Sequence, residues 1–343
     1  MTLILKCRCN VKGYWYSQRG VKQRMSYKVL IPEDITDAGK NYLKERGYIV
    51  HVLDCPATEE NVIKTVKDCD AILARNIPYT RKIMEAAPKL KVISRYGVGT
   101  DKMDIPAATE LGIQITNAPT ANTNAVAEHA LALMLACADH IIYQDQQTRN
   151  GNFKARDITK SIELRGKKLG LIGCGRIGRA VAEKASKGFG MQIIGFDEFI
   201  PSDKWPSDIE RRDSIEEVLK EADIVSLHVP RTPETINMIN KNNLKYMKKT
   251  SILINCARGG VINEKDLFVA LSEHTIMAAG IDVFAEEPAK KDNILFKLQN
   301  ITVSPHNAAL SVEAMDQMGI DAAQGIDDVL NGRKPKYPVN HLK

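Results

Sequence analysis

No apolar run in this chain reaches the ~18 residues that a membrane-spanning helix needs. The opening Met1-Thr2-Leu3-Ile4-Leu5-Lys6 has too short an apolar stretch to act as a signal peptide. The cytoplasm is therefore the expected location, with no membrane partner. A disulfide framework is missing as well: Cys7, Cys9, Cys55, Cys69, Cys137, Cys174 and Cys256 are odd in number and scattered. Cys7-Arg8-Cys9 lacks the second ligand pair of a metal site, so no metal is expected. There is no low-complexity tract and no short-period repeat. Acid is absent from residues 1–24, which hold Lys6, Arg8, Lys12, Arg19, Lys22 and Arg24. Taking those six from the 48 basic residues leaves 42, equal to the number of acids. The net charge of +6 thus belongs to a basic leader, and the neutral body gives no reason to expect a nucleic-acid partner. The leader reads as a poorly ordered extension, or as sequence ahead of a start at Met25.

Regularity begins at Met25. Short β-branched segments start near Tyr27, Tyr48, Ala71, Lys91 and Gly112, about every 21 residues, with helical stretches such as 37–45 and 59–67 between them. Such alternation predicts a parallel sheet covered on both faces. A polar, proline-containing break at Asn117 to Asn124 follows, then a helix from Ala125 to Ala138 that is apolar nearly all round. A helix of that kind is buried between layers or at a subunit interface. From Gly166 a second alternation predicts six strands, at 168–172, 192–196, 224–227, 251–255, 277–283 and 301–304. The intervening helices include 176–188, 215–221 and 263–272. A last helix over about 311–330 comes after the sixth strand and is expected to cross back to the first domain.

The second alternation opens with Lys168-Leu169-Gly170-Leu171-Ile172-Gly173-Cys174-Gly175-Arg176-Ile177-Gly178. A strand, a G-x-G-x-x-G turn and a helix start form a dinucleotide cradle. Gly173 permits the tight turn, Gly175 lets backbone N–H groups approach a pyrophosphate, and Gly178 lets the helix pack close. The helix start favours the anion. Asp197 closes the next strand, where a carboxylate can accept hydrogen bonds from a ribose diol and would repel a 2′-phosphate. Glu198-Phe199-Ile200 offers no arginine to reverse that preference, so NAD is expected over NADP.

Ligands of doubly wound sheets lie beyond the carboxyl ends of the strands. There the chain presents His228-Val229-Pro230-Arg231-Thr232-Pro233-Glu234-Thr235, a stiff loop suited to the adenine or ribose side. Next comes Asn255-Cys256-Ala257-Arg258-Gly259-Gly260, in which Arg258 can bind a carboxylate bidentately; a surface salt bridge is the alternative. Two further strand ends carry Asp282-Val283-Phe284-Ala285-Glu286-Glu287-Pro288 and Ser304-Pro305-His306-Asn307. A glutamate there could orient His306 and support its charged form, keeping a proton donor available. The remaining histidines read as structural or surface residues, among them His129 on the long helix.

Taken in order, these motifs, with Tyr96-Gly97-Val98-Gly99-Thr100-Asp101, Asn117-Ala118-Pro119 and Val126-Ala127-Glu128-His129, make the chain resemble the D-isomer-specific 2-hydroxyacid dehydrogenases over about residues 26–340. The resemblance implies an α/β protein of two doubly wound parallel-sheet domains, a Rossmann NAD-binding domain inserted into a flavodoxin-like substrate domain. The expected division is a leader at 1–24, a substrate domain at 25–117 and 307–343, and an NAD domain at 118–306, with hinges near 117–124 and 307–311. Arg258 would hold the substrate carboxylate. Glu287, chosen over Glu286 by its place before the proline, would support His306 as proton donor. Cofactor contacts are expected at Gly173, Gly175, Arg176, Ile177, Gly178, Asp197, His228, Val229, Pro230, Thr235, Cys256, Ala257, Arg258, Asp282 and His306. Substrate contacts are expected at Arg75, Tyr96, Gly97, Val98, Gly99, Arg258 and His306. The implied partner is a small 2-oxoacid or 2-hydroxyacid, and the implied assembly is a homodimer. Phosphoglycerate- and hydroxypyruvate-type substrates are favoured by Arg75, with Arg81 and Lys82 as further cations, although no regulatory domain follows the last helix. His306-Asn307-Ala308-Ala309 lacks the aromatic residue associated with D-lactate members. D-lactate dehydrogenase is nonetheless one alternative. An NAD(H)-sensing corepressor-like regulator, which would keep the Arg, Glu and His, is the other.

Overall fold

The computed structural model describes residues 26–342; the basic leader and Cys7-Arg8-Cys9 lie outside the described residues. Five short strands come first: β1 (Lys28–Ile31), β2 (Ile49–Val52), β3 (Ala71–Ala74), β4 (Val92–Arg95) and β5 (Gln114–Thr116). They form one parallel sheet in the order β2-β1-β3-β4-β5, the flavodoxin-like order. Helices α1 (Asp37–Glu45), α2 (Glu59–Thr65), α3 (Arg81–Glu85) and α4 (Ile105–Glu110) connect them. Strands β1 and β3 are almost wholly apolar and buried, as expected for strands covered on both faces. Separate apolar clusters fill the two sides of this sheet, one around Leu30, Ile72 and Ile93 and one around Val29, Leu73 and Met318.

The chain then enters α5 (Thr123–Ala138), followed by the short α6 (Ile141–Arg149) and α7 (Ala155–Ile158). The second sheet contains β6 (Lys168–Ile172), β7 (Gln192–Phe196), β8 (Glu210–Arg211), β9 (Ile224–Leu227), β10 (Ile252–Asn255), β11 (Ala278–Ile281) and β12 (Ile301–Val303). Its order is β12-β11-β10-β9-β6-β7-β8, every neighbour parallel. This is the Rossmann order 3-2-1-4-5-6 with one strand added beyond the sixth. Sequence periodicity predicts six of these seven strands; the two-residue β8 is exposed and charged and carries no apolar signal. Helices α8 (Arg176–Phe189), α9 (Ile215–Glu221), α10 (Lys241–Leu244) and α11 (Glu264–Ser272) complete the alternation. The last helix, α12 (Val312–Leu330), packs on α1 and β4 of the first sheet, as the reading of its place in the chain expected. The chain therefore passes between the sheets twice, through 117–122 and through 304–311. Among the described residues no single helix is long and apolar enough to cross a membrane.

Helix α5 lies on the second sheet, against β10, β11 and α8. It buries Val126, Ala130, Leu133, Met134 and Cys137 within this one chain, so core packing alone accounts for most of its apolar surface. Strands β10, β11 and β12 end beside the start of this helix. That is where the site forms.

Candidate active site

The glycine turn is built for close approach. Gly173 has φ +95, and a Cβ there would lie 2.6 Å from the His228 carbonyl oxygen. A Cβ on Gly178 would strike the Gly173 carbonyl, whereas one on Gly175 would meet nothing within 4 Å. Two of the glycines thus bring backbone together, and the middle one opens a space in front of α8. Helix α8 starts at N-cap Gly175 without a side-chain cap, so its first N–H groups remain available to an anion. Asp197 is fixed beside the turn: its Oδ2 accepts from Cys174 N at 2.8 Å and its Oδ1 from Phe199 N at 2.9 Å. A carboxylate offers about four acceptor positions, which leaves capacity for a ribose diol. The residues present fit a dinucleotide.

The neighbouring loops close around this space. His228 Nε2 pairs with Ser226 Oγ at 3.0 Å, and burial of the ring lowers its pKa to about 4, although part of the residue reaches the surface. Thr235 braces the loop that follows, donating to Pro230 O at 2.7 Å and accepting from Thr232 N at 2.7 Å. Val229 is partly buried, and Arg176 and Pro230 are exposed. Cys256 and Ala257 are buried under the end of β10; burial, with Asp282 nearby, pushes the Cys256 thiol far up and keeps it protonated.

Arg258, Glu287 and His306 stand at the ends of β10, β11 and β12. His306 Nδ1 and Glu287 Oε2 are 2.7 Å apart. Glu287 Oε1 accepts from Phe284 N at 3.1 Å, which holds the carboxylate in place. Burial raises the Glu287 pKa, but the bonds from His306 and Phe284 and the charge of Lys102 outweigh it and leave the group below the usual range. Glu286 instead pairs with Lys290 at 2.8 Å, so of the two glutamates only Glu287 meets the histidine. With Nδ1 engaged, Nε2 is the imidazole nitrogen left for a ligand. Arg258 donates Nε–H to Asp101 Oδ2 at 3.3 Å and Nη1–H to Ala257 O at 2.8 Å. Its Nη2 lies against Gly99, close enough that a Cβ on Gly99 would collide with it.

The loop after β4 supplies the opposite wall. Arg95 donates to Gly99 O at 3.0 Å and to Tyr96 O at 2.6 Å, and so shapes the Gly97-Val98-Gly99 turn from below. Asn117 Nδ2 donates to Val98 O at 2.9 Å, and Ala118 N donates to Gly97 O at 2.9 Å. The turn is therefore tied to the first passage between the sheets. Tyr96 differs from expectation: its ring is 3% exposed, inside the core beside Met318, and it reaches the loop by its backbone only. Arg75 stands at the end of β3 with Nη1 donating to Asp34 O at 2.8 Å. Arg81 is engaged by Glu110 and Glu85.

Two participants escape sequence reasoning. Asp101 appears in the motif after Gly99, but only the fold shows that it grips Arg258, 157 positions away. His129, read from sequence as a structural histidine, bonds Ser304 Oγ at 2.8 Å beneath the His306 turn. The carboxylate of Asp282 is 0% exposed and accepts from Ser304 Oγ and from the Asn307 and Ala308 N–H groups.

Residues 131–308 match the family described as "D-isomer specific 2-hydroxyacid dehydrogenase, NAD binding domain". The chain belongs to the D-isomer-specific 2-hydroxyacid dehydrogenase family. It is 42% identical over 315 residues to a D-3-phosphoglycerate dehydrogenase of Methanocaldococcus jannaschii, covering 91% of this chain and 59% of that one. It is 37% identical over 321 residues to a glyoxylate reductase of Korarchaeum cryptofilum, covering 92% of this chain and 96% of that one. Among solved structures, the TT0316 protein of Thermus thermophilus superposes with a TM-score of 0.85 at 35% identity, covering 91% of this chain and all of that one. The chain thus spans about three fifths of that dehydrogenase's length and nearly all of the reductase's. The seven-stranded sheet is the family's NAD-binding domain, and NAD is the cofactor its turn and Asp197 fit.

Proposed function

We propose that this protein is an NAD-dependent oxidoreductase that interconverts a D-2-hydroxyacid and its 2-oxoacid. The observation that carries this is the Glu287–His306 pair at 2.7 Å, facing an arginine whose Nη2 is turned to a glycine loop across the cleft. Arg258, oriented by Asp101 and Ala257, binds the substrate carboxylate and polarises the adjacent carbonyl. The N–H groups of Val98 and Gly99 hold the other side of that carboxylate, while the Gly97 N–H donates to Arg95 O at 2.9 Å and shapes the turn. The Gly173–Gly178 turn and Asp197 would hold NADH, which would supply the hydride for the carbonyl carbon. His306 gives the proton to the carbonyl oxygen from Nε2, and Glu287 stabilises the charged ring beforehand. In the other direction neutral His306 accepts the hydroxyl proton. Approach of the two sheets about 117–124 and 307–311 excludes water from the reacting atoms.

Phosphoglycerate- or hydroxypyruvate-type substrates are favoured. Arg75 puts a cation at the cleft on the first sheet, and two similar proteins act, by name, on 3-phosphoglycerate and on glyoxylate. A homodimer in the cytoplasm completes the reading. Ile141, Ile142, Phe153 and Ile158 are exposed over α6 and α7, an apolar group suited to a second copy.

The test is initial-rate NADH oxidation with phosphohydroxypyruvate, hydroxypyruvate, glyoxylate and pyruvate. Turnover of at least one is expected, and His306→Ala should lower it about a hundredfold or more while NADH still binds. Binding of NADH with no turnover of any 2-oxoacid would favour a regulatory protein instead, and an active His306→Ala would remove the proton-donor role.

A further inference from the structure

His306 has φ +52, a left-handed backbone conformation that a residue with a Cβ adopts only when its surroundings impose it. The imposing group is Asp282. Its carbonyl accepts from His306 N at 2.7 Å, its Oδ1 from Asn307 N at 3.0 Å, and its Oδ2 from Ala308 N at 3.1 Å. One residue at the end of β11 thus fixes three consecutive N–H groups of the turn that presents the imidazole.

Asp282 is itself wholly buried, and a buried carboxylate holds its geometry only when its remaining acceptor capacity is met. Ser304 meets it, with Oγ 2.6 Å from Oδ1. A carboxylate whose two oxygens already accept N–H bonds can only accept again, so the single hydroxyl proton of Ser304 points to Asp282. The Ser304 oxygen must then accept from its other neighbour, His129 Nε2 at 2.8 Å. That fixes the proton of His129 on Nε2. The same nitrogen lies 3.6 Å from Asp282 Oδ1. No lysine or arginine bonds Asp282 among the described residues, which leaves His129 as the donor that completes the chain.

We propose that His129 is a positioning residue for the reaction: through Ser304 and Asp282 it holds the turn that aims His306 into the cleft. The anchor is rigid, because His129 sits in α5 between Val126, Ala130 and Leu133, which are packed in the core. The proposal rests on His306 as proton donor, as argued above.

The test compares His129→Leu, which removes the donor, with His129→Gln, whose amide N–H can reach the same oxygen. Ser304→Ala and Ser304→Thr make the parallel comparison should the leucine variant fail to fold. In the full-length protein, two readouts are taken: steady-state kinetics with the best 2-oxoacid, and hydrogen–deuterium exchange at the amides of Asn307 and Ala308. Loss of the donor should lower kcat about tenfold, the effect of roughly one hydrogen bond, with KM for NADH changed less than about twofold. It should also speed exchange at both amides about tenfold. His129→Gln and Ser304→Thr should stay within about threefold of the parent in both. Equal losses in the leucine and glutamine variants, or unchanged exchange in His129→Leu and Ser304→Ala, would overturn the proposal. His306→Asn separates the two ideas. If it turns over normally, the proton-donor role falls and the catalytic meaning of this chain falls with it. If it is inactive while His129→Leu is normal in rate and exchange, only the positioning proposal falls.

Discussion

At Gly99 a single methyl group would separate function from stability. A Cβ there would overlap Arg258 Nη2 and come within 2.8 Å of Asp101 Oδ2, both of them ends of flexible side chains rather than backbone. Gly99 does not have a left-handed φ, so alanine is tolerated by the chain. Gly99→Ala should therefore fold with a melting temperature within about 2 °C of the parent, yet lose about thirtyfold or more in kcat/KM for a 2-oxoacid as the guanidinium is pushed off its carboxylate-binding pose. Unchanged kinetics would mean that Arg258 does not bind substrate in the orientation seen here. The residue scale is also where sequence is most and least informative. Arg258, Glu287 and His306 are legible because each follows a strand of one sheet, and the fold rule puts strand ends together. Asp101 is not, because its partner Arg258 stands on the other sheet, and His129 is not, because Ser304 lies 175 positions away and only the packing of α5 on the second sheet brings the two together. Tyr96 shows the reverse: its place beside the glycine loop suggested a ligand contact, but strand alternation turns its ring into the core.

Among the elements, α12 rewards inspection because it returns from the second sheet to the first and its start adjoins the His306 turn. Its N-cap is Ser311, whose Oγ accepts from Ala314 N at 3.1 Å. Ser311→Ala should cost about 1 kcal/mol, read as a melting temperature lower by a few degrees, and Ser311→Asp should restore it because a carboxylate caps equally well. If alanine and aspartate melt alike, the cap does not anchor this helix. Helix ends of this kind are readable from sequence, as at Ser311 and at Asn263, which caps α11. Strand ends are less so. The expected strand over 277–283 shortens to Ala278–Ile281, since pairing stops where the partner strand β10 stops. Nothing in the sequence marks the passage from α6 to α7: those helices bury almost nothing in this chain and so lack the apolar stripe of a packed helix.

For the molecule as a whole, alternation of strand and helix was enough to anticipate two parallel sheets. Their relative placement was anticipated only through the order of motifs, because periodicity carries no information about how one sheet faces another. Stability against pH is a property of this whole assembly, and His228 makes one part of it calculable in sign. The ring lies beneath the glycine turn and burial holds its pKa at about 4, whereas the same side chain in an unfolded chain titrates near 6.5. Above pH ~6.5 it is neutral in both states and contributes nothing to pH dependence. As pH falls from ~6.5 towards ~4 the unfolded chain takes up a proton that the folded chain refuses, so stability is lost over that window. Glu287 acts lower. Its folded pKa lies below the unfolded value of 4.5, so its contribution is present above that value and disappears only as pH falls through the folded one. The parent protein should therefore lose several degrees of melting temperature between pH 6.5 and 5, before most carboxylates titrate. His228→Gln, neutral at every pH, should be markedly flatter over that range and then fall with the parent below pH ~4.5. Parallel curves for the two proteins from pH 6.5 to 5 would show that the ring beneath the cofactor turn accepts its proton without penalty, and that the turn opens to water more than its packing indicates.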